Sequence, residues 1–318
     1  MLWQGCTMRD APDFPLVSVL VASYNYEPYL GMAIQSVLDQ SCPHFELLII
    51  DDGSTDGSVA LAESYAAKDV RISVVRHPDG KNHGLPATLA LGIALARGKY
   101  IAFLESDDLW EPECLAQRLG ALEDSNAGVV FNAVEPLYMP GADPHWFESY
   151  MPRILHEHTA RVAAQGDSAC TPYSLRTAFL IENKIPPFSC AMVSAALLKN
   201  CSFNAPVPRW LDWWLWIQLA QKTQFVFIQK PLTIWRMHNK SFNYKLTLSR
   251  HLIDASFIWN GFRKYLYKDF LRSGETKAAL FLCCPFWVRL VARIWMRILY
   301  AMKKKINYQQ PREHFKTR

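Results

Sequence analysis

Short apolar runs that end in polar clusters recur along the first third of the chain. The run PLVSVLVASYN (Pro15 to Asn25) is rich in valine and closes on Ser23, Tyr24 and Asn25, which predicts a buried strand feeding a loop. From Tyr29 to Gln40, Leu30, Ala33, Ile34, Val37 and Leu38 fall at helical spacing. A second run, FELLII, ends in Asp51, Asp52 and a glycine-rich turn. Ser58 to Ala67 predicts another helix, and RISVVRH a third strand. GLPATLALGIALARG predicts a helix with Gly98 as its C-cap. KYIAFLESDD and AGVVFNAV predict the fourth and fifth strands. Strands alternating with helices give an α/β class: a Rossmann-like, mainly parallel sheet with helices on both faces. Ligands in such sheets bind beyond the carboxyl ends of the strands, where the polar clusters fall here.

The pattern then weakens. Residues 135–188 are rich in proline and histidine and lack clear periodicity, which predicts an extended loop region with short helices that shapes a specificity pocket. A helix over LDWWLWIQLAQK and a strand over FVFIQKPLTIWRMH follow. The expected organisation is a disordered tail over 1–14, one domain over 15–245 and a helical C-terminal extension over 246–318.

Composition permits a sizeable core, with half the residues apolar and a fifth charged. None of the eight cysteines forms a CxxC pair, which argues against a zinc or redox motif. Residues 1–14 lack the apolar stretch of a secretory signal, so reduced thiols and a cytoplasmic compartment are expected. The net charge of +5 is unevenly placed: from Phe286 onward nine Lys and Arg face Glu313 alone, a net of +8, leaving the remainder at about −3.

The acidic turn FLESDDLW places Glu105, Asp107 and Asp108 within four residues at a strand end. Two readings are open locally: a solvated acidic turn, or carboxylates gathered for a hard divalent cation such as Mg²⁺ or Mn²⁺.

Several ordered segments together go further: VSVLVASYNYEPYLGMAIQSVLDQS, ELLIIDDGSTDGS, GKYIAFLESDDLW, WLDWWLWIQLA and PLTIWRMHN. From about Val17 to His238 the chain resembles the family 2 glycosyltransferases of GT-A fold. The resemblance implies transfer of a sugar, with inversion, from a UDP- or dTDP-type donor to an acceptor hydroxyl. It places Ala22 and Tyr24 beside the donor base, where Tyr24 either stacks on the base or packs in the core. It makes Asp52 an acceptor for the base N3–H, while Asp51 holds the turn. Asp108 becomes the first choice for direct metal coordination and Asp107 a partner of ribose or of a metal-bound water. Glu105 stands where many relatives carry Asp, and its role is open. Asp212 takes the general-base position, with helix N-capping as its alternative. Arg236 pairs with the diphosphate, and His238 ligates the metal or bonds phosphate. Relatives often read Glu-Asp-Trp-Asp where this chain has Leu211-Asp212-Trp213-Trp214, so both flanking acids are missing. A polar residue common in relatives after Asn82-His83-Gly84 is missing too.

FLCCPFWVRLVARIWMRILYAMKKK is apolar but interrupted by Arg289, Arg293 and Arg297, each costly at a bilayer centre. This predicts an amphipathic helix lying on an anionic membrane surface, or one packed on the catalytic domain. The expected setting is peripheral, on the cytoplasmic face, with a saccharide or lipid-linked acceptor and no nucleic-acid partner. A nucleotide-dependent oxidoreductase would need GxGxxG after the first strand, where ASYNYEPYL stands instead. A non-catalytic sugar-nucleotide-binding protein with a degenerate site is the alternative, because the acids flanking Asp212 are lost.

Overall fold

The computed structural model describes residues 16–142, 145–163, 172–180, 182–239 and 248–284. The expected 1–14 tail and the basic segment after Phe286 lie outside the described residues.

The alternation of elements is as expected through the first hundred residues. β1 (Val17–Ser23) leads to α1 (Glu27–Leu38), β2 (Phe45–Asp51) to α2 (Ser58–Ala66), and β3 (Ile72–Arg76) to α3 (Leu85–Leu95) and β4 (Tyr100–Phe103). There follow β5 (Leu109–Trp110), α4 (Cys114–Glu123), β6 (Val129–Tyr138), α5 (His145–Ala163), β7 (Ala191–Ser194), α6 (Ala195–Leu198), α7 (Leu211–Ala220), β8 (Phe225–Met237), α8 (Leu248–Arg272) and α9 (Thr276–Cys283).

One sheet runs in the order β3-β2-β1-β4-β7-β6-β8-β5. β3, β2, β1 and β4 are mutually parallel, as are β6 and β8, whereas β7 and β5 run antiparallel to their neighbours. The sheet is therefore mixed, with its parallel half built first in the chain. β1 and β2 read as near-continuous apolar runs because both of their faces are covered. On one face, Val17, Val19 and Val21 join Leu47 and Ile49 in a core closed by Leu30, Ile34 and Val37 of α1 and Leu115 and Leu119 of α4. On the other face, α3 lies so close that a Cβ on Gly92 would sit 2.8 Å from Ile50 Cδ1 and 3.4 Å from Leu20 Cδ1.

Gly98 is not a helix C-cap. α3 stops at Leu95, and Ala96 is already extended. Gly98 instead permits close approach, since a Cβ there would meet the Ser18 backbone nitrogen at 2.5 Å. A buried carboxylate secures the contact: Glu46 accepts hydrogen bonds from Ser18 Oγ (2.6 Å), Arg97 N (2.7 Å) and Arg97 Nε (2.9 Å).

The region 135–188 is more regular than its sequence suggests. β6 extends to Tyr138, and α5 is a single helix of 19 residues with Pro152 inside it. Met151, Ile154, His158 and Val162 form its buried face.

Contact clustering divides the chain into two units, Met1–Phe179 with Asn183–Ile258, and Leu180–Glu182 with Trp259–Arg318. The division falls inside α8. Within the second unit Trp259, Phe262, Leu266 and Phe270 make a buried stripe along α8, and Ala278, Ala279 and Leu282 are buried in α9. Among the described residues no helix is long and apolar enough to cross a membrane.

Candidate active site

The carboxyl ends of β1, β2 and β4 open onto loops that are stitched to one another. Asn25 adopts a left-handed conformation (φ 57°), and its Oδ1 accepts hydrogen bonds from Thr55 N (2.8 Å) and Asp56 N (3.3 Å). Asp51 holds the glycine-rich turn as expected, its Oδ2 accepting from Gly53 N (3.1 Å) and Ser54 N (3.0 Å). Gly53 has φ +79°, and a Cβ there would lie 2.7 Å from the Lys81 carbonyl carbon, so two loops meet at a point that only glycine fits.

The residues expected beside a base behave differently from one another. Tyr24 is 44% exposed, which leaves its ring free to stack and removes core packing as its role. Ala22 is half-buried at the end of β1, in register with Ile50. Asp52 is buried, and its carboxylate braces the loop before α3 by accepting from His83 N (2.7 Å) and Gly84 N (2.9 Å). A base would meet only its remaining lone pairs.

The acidic turn separates its carboxylates by environment. Asp108 is fully buried; its Oδ2 accepts from Ser189 Oγ (2.6 Å) and its Oδ1 from Arg236 N (3.1 Å). Burial, and then the neighbouring Asp107, push its carboxyl well above the usual range. Those bonds make it a support of the turn. Arg236 is also drawn into the turn. Its guanidinium is 1% exposed and donates to the carbonyls of Asp107, Tyr29 (2.9 Å) and Ser106 (3.4 Å), while lying 5.3 Å from the Tyr29 ring centroid. It clamps the turn from beneath instead of reaching outward for phosphate.

Asp107 keeps more exposure than Asp108. Its Oδ2 lies 3.0 Å from His238 Nε2, and its side chain keeps 16% exposure. The Tyr26 hydroxyl also bonds Asp107, and burial first, then the acidic turn, raises the Tyr26 pKa. The His238 ring stacks on Tyr29 at 4.4 Å and 16°, which fixes its plane. Among the described residues, its Nδ1 is buried with no hydrogen-bond partner.

Asp107 Oδ2 and His238 Nε2 are, by their chemistry, a fitting partial donor set for Mg²⁺ or Mn²⁺, and an ion held by both would take the place of their 3.0 Å contact. Among the described residues no group of three or more His, Cys, Asp and Glu converges as a metal cage. An ion at Asp107 and His238 would thus complete its shell with oxygens of a bound diphosphate and water. Glu105 is largely enclosed, and burial, then Asp108, Asp107 and Asp212, push its carboxyl well above the usual range. It feels both the acidic turn and the base candidate.

Asp212 is the second residue of α7. It does not cap the helix, since the cap position belongs to Trp210 with no side-chain bond. Its Oδ1 accepts from Trp213 N (2.7 Å) and its Oδ2 from Asn183 Nδ2 (2.5 Å). Loss of water outweighs those two bonds and pushes the carboxyl up to about 7. The surrounding indoles are anchors: Trp213, Trp214 and Trp216 donate to the carbonyls of Phe179 (2.7 Å), Ser202 (2.9 Å) and Ile185 (3.0 Å). Leu211 and Trp214, where relatives carry acids, are core residues here.

Sequence reasoning missed the supports. Ser189 bonds Asp108 and also accepts from Glu105 N (3.0 Å). Below it, the fully buried Arg118 donates to Ser189 O (2.7 Å), Thr233 Oγ1 (3.0 Å) and Asn132 Oδ1 (2.8 Å), with its guanidinium 4.8 Å from the Trp110 ring centroid. Tyr26, Tyr29 and Asn183 were missed as well. Only the tyrosines lay within a motif, two and five positions after Tyr24.

The sequence model of Glycosyl transferase family 2 matches residues 18–175. The chain is 41% identical over 120 residues to EpsH of Bacillus subtilis (strain 168), which is named as a glycosyltransferase; the match covers 38% of this chain and 34% of EpsH. It is 37% identical over 127 residues to TuaG of the same organism, named for glycosyl transfer in teichuronic acid biosynthesis, covering 40% of this chain and 50% of TuaG. The chain thus spans half or less of the length of these relatives. Among solved structures, S. aureus TarS 1-349 in complex with UDP-GlcNAc superposes with a TM-score of 0.54 at 15% identity, over 80% of this chain and 72% of that one. The mannosyltransferase PcManGT from Pyrobaculum calidifontis, in complex with GDP-Man and Mn²⁺, gives 0.53 at 16% identity, over 92% and 77%. The fold is that of the GT-A glycosyltransferases, and residues 18–175 match glycosyl transferase family 2.

Proposed function

We propose that this chain is a metal-dependent, inverting glycosyltransferase that moves a sugar from a nucleotide-diphosphate donor of the UDP or dTDP type to an acceptor hydroxyl. The observation that carries the reading is Asp212, a carboxylate close enough to Glu105 at the end of β4 for their charges to interact, with its proton affinity raised to about 7. A hydroxyl is a poor nucleophile at neutral pH. A carboxylate of that affinity can take its proton as the bond to the anomeric carbon forms. Attack from the side opposite the leaving diphosphate inverts the centre and needs no covalent enzyme intermediate. In this reading Tyr24 offers an exposed stacking face to the base, and the paired Asp107 and His238 would meet the diphosphate end of the donor. When bound there, Mn²⁺ or Mg²⁺ would neutralise charge on the leaving group. Kinship with TuaG, and the basic C-terminal segment, support a saccharide or lipid-linked acceptor in bacterial cell-surface polysaccharide or glycolipid synthesis, at the cytoplasmic membrane face.

The test is donor turnover by the full chain. UDP or dTDP release from a panel of nucleotide sugars, with and without Mn²⁺, is expected to fall by about 10²–10⁴-fold in Asp212→Asn. In the wild type, kcat/KM should rise with pH through about 7, because the base must be ionised. Equal turnover by wild type and variant would remove Asp212 from the mechanism. Donor binding without any turnover would favour the non-catalytic alternative.

A further inference from the structure

The stretch from Asn183 to Cys190 lies where no regular element was expected, yet it is held on several sides. Trp216 Nε1 donates to Ile185 O (3.0 Å). Burial pushes the His158 pKa down to about 3, so its ring is neutral. With the Tyr173 hydroxyl donating to Nδ1 (2.8 Å), His158 Nε2 donates to Lys184 O (2.8 Å). Lys184 Nζ pairs with Glu157 (2.6 Å), which also pairs with Arg153 (3.0 Å). The far end of the stretch carries Ser189, the partner of Asp108. One short segment therefore touches both the acidic turn and Asp212.

At its near end the geometry removes an ambiguity. An asparagine amide can present either oxygen or nitrogen to a neighbour. Asn183 is buried, and its Oδ1 accepts the Ile185 N–H at 3.0 Å. The NH₂ group must then face Asp212 Oδ2, 2.5 Å away. We propose that Asn183 is a positioning residue for Asp212: its locked amide donates to one carboxylate oxygen, sets the plane of the carboxylate, and leaves the remaining lone pairs for the proton of an acceptor hydroxyl. This rests on the reading of Asp212 as the base. The amide can only donate in this orientation, so it favours the ionised carboxylate and opposes the effect of lost water. The titratable groups near Asp212 are Glu105, from the end of β4, and Cys190, from the stretch itself.

The contact can be read without a known substrate. In the full chain labelled with ¹³C at aspartate side-chain carboxyls, the Asp212 signal is the one absent from Asp212→Asn. Asn183→Ala should move its titration midpoint upward by one pH unit or more. In the wild type, the Asn183 side-chain NH₂ resonances should shift with the same midpoint as Asp212. An unmoved midpoint in an Asn183→Ala protein that melts cooperatively overturns the proposal. So do wild-type NH₂ resonances that ignore the titration of Asp212, whether or not the variant folds. If Asp212→Asn releases UDP from UDP-GlcNAc at the wild-type rate, the base assignment fails, while the titration still reports on the contact separately.

Discussion

Asp108 and Asp212 are both withdrawn from water, but their partners differ. Asp108 has a serine hydroxyl and the backbone of an arginine whose side chain clamps the same turn. Asp212 has an amide and one backbone N–H. The first arrangement suits a structural carboxylate, the second one that exchanges protons. A consequence for stability follows. With its folded pKa raised to about 7, Asp212 is accommodated protonated at low pH, and that stability is lost as pH rises from the ordinary carboxylate range through about 7. Asn at 212 does not titrate. Asp212→Asn should therefore melt increasingly above the wild type as pH goes from 5 to 8, by roughly 2–4 °C for each kcal/mol relieved. Melting curves across that range check it, and a constant difference would contradict a raised pKa. The motif residues of the turn were legible in the sequence because their spacing and strand-end position were. Which side chains turn inward was not. That depends on Ser189 and Arg236, which arrive from remote segments to fill the bonding capacity of Asp108 and the turn carbonyls.

At the scale of elements, strands buried on both faces announced themselves. β1, β2 and β4 are near-continuous apolar runs, interrupted inside by Ser18 and Glu46 and bounded by polar residues. α5 did not. Its buried face, Met151, Ile154, His158 and Val162, has helical spacing, but a core histidine and an internal proline disguise it. His158 is tolerated there because both ring nitrogens have partners. β5, two residues long, falls below any periodic signal. Gly98 was assigned to the wrong task because a glycine after a helix suits a cap as well as a close approach. The difference can be measured. Ala at a C-cap costs little unless φ is positive, whereas Gly98→Ala drives a methyl against the Ser18 backbone. The variant should lose about 1–3 kcal/mol, read as a lower urea midpoint with an unchanged slope.

For the whole molecule, the parallel half of the sheet and its helices were legible from alternation alone. The mixed half was not, because β7 is a short antiparallel strand inserted between β4 and β6. Charge is also a property of the whole. The net +8 after Phe286 against about −3 elsewhere motivates membrane docking through the C-terminal segment. Ending the chain after about Gly274 should lower its retention on vesicles rich in anionic lipid, measured by sedimentation. Retention equal to the full chain would place the docking surface elsewhere.

The insertion of β7 has an evolutionary corollary. The loops that brace Asp52 and the turn of Asp51 are stitched together from the first hundred residues, whereas the wall that carries Asp212 is built from the chain beyond Tyr173. In the sheet the two meet where β4 pairs with β7, and Arg236 and His238 also reach across to Tyr29. Substitutions beyond Tyr173 can accordingly reshape the surroundings of Asp212 while the hydrogen bonds that brace Asp51 and Asp52 are kept.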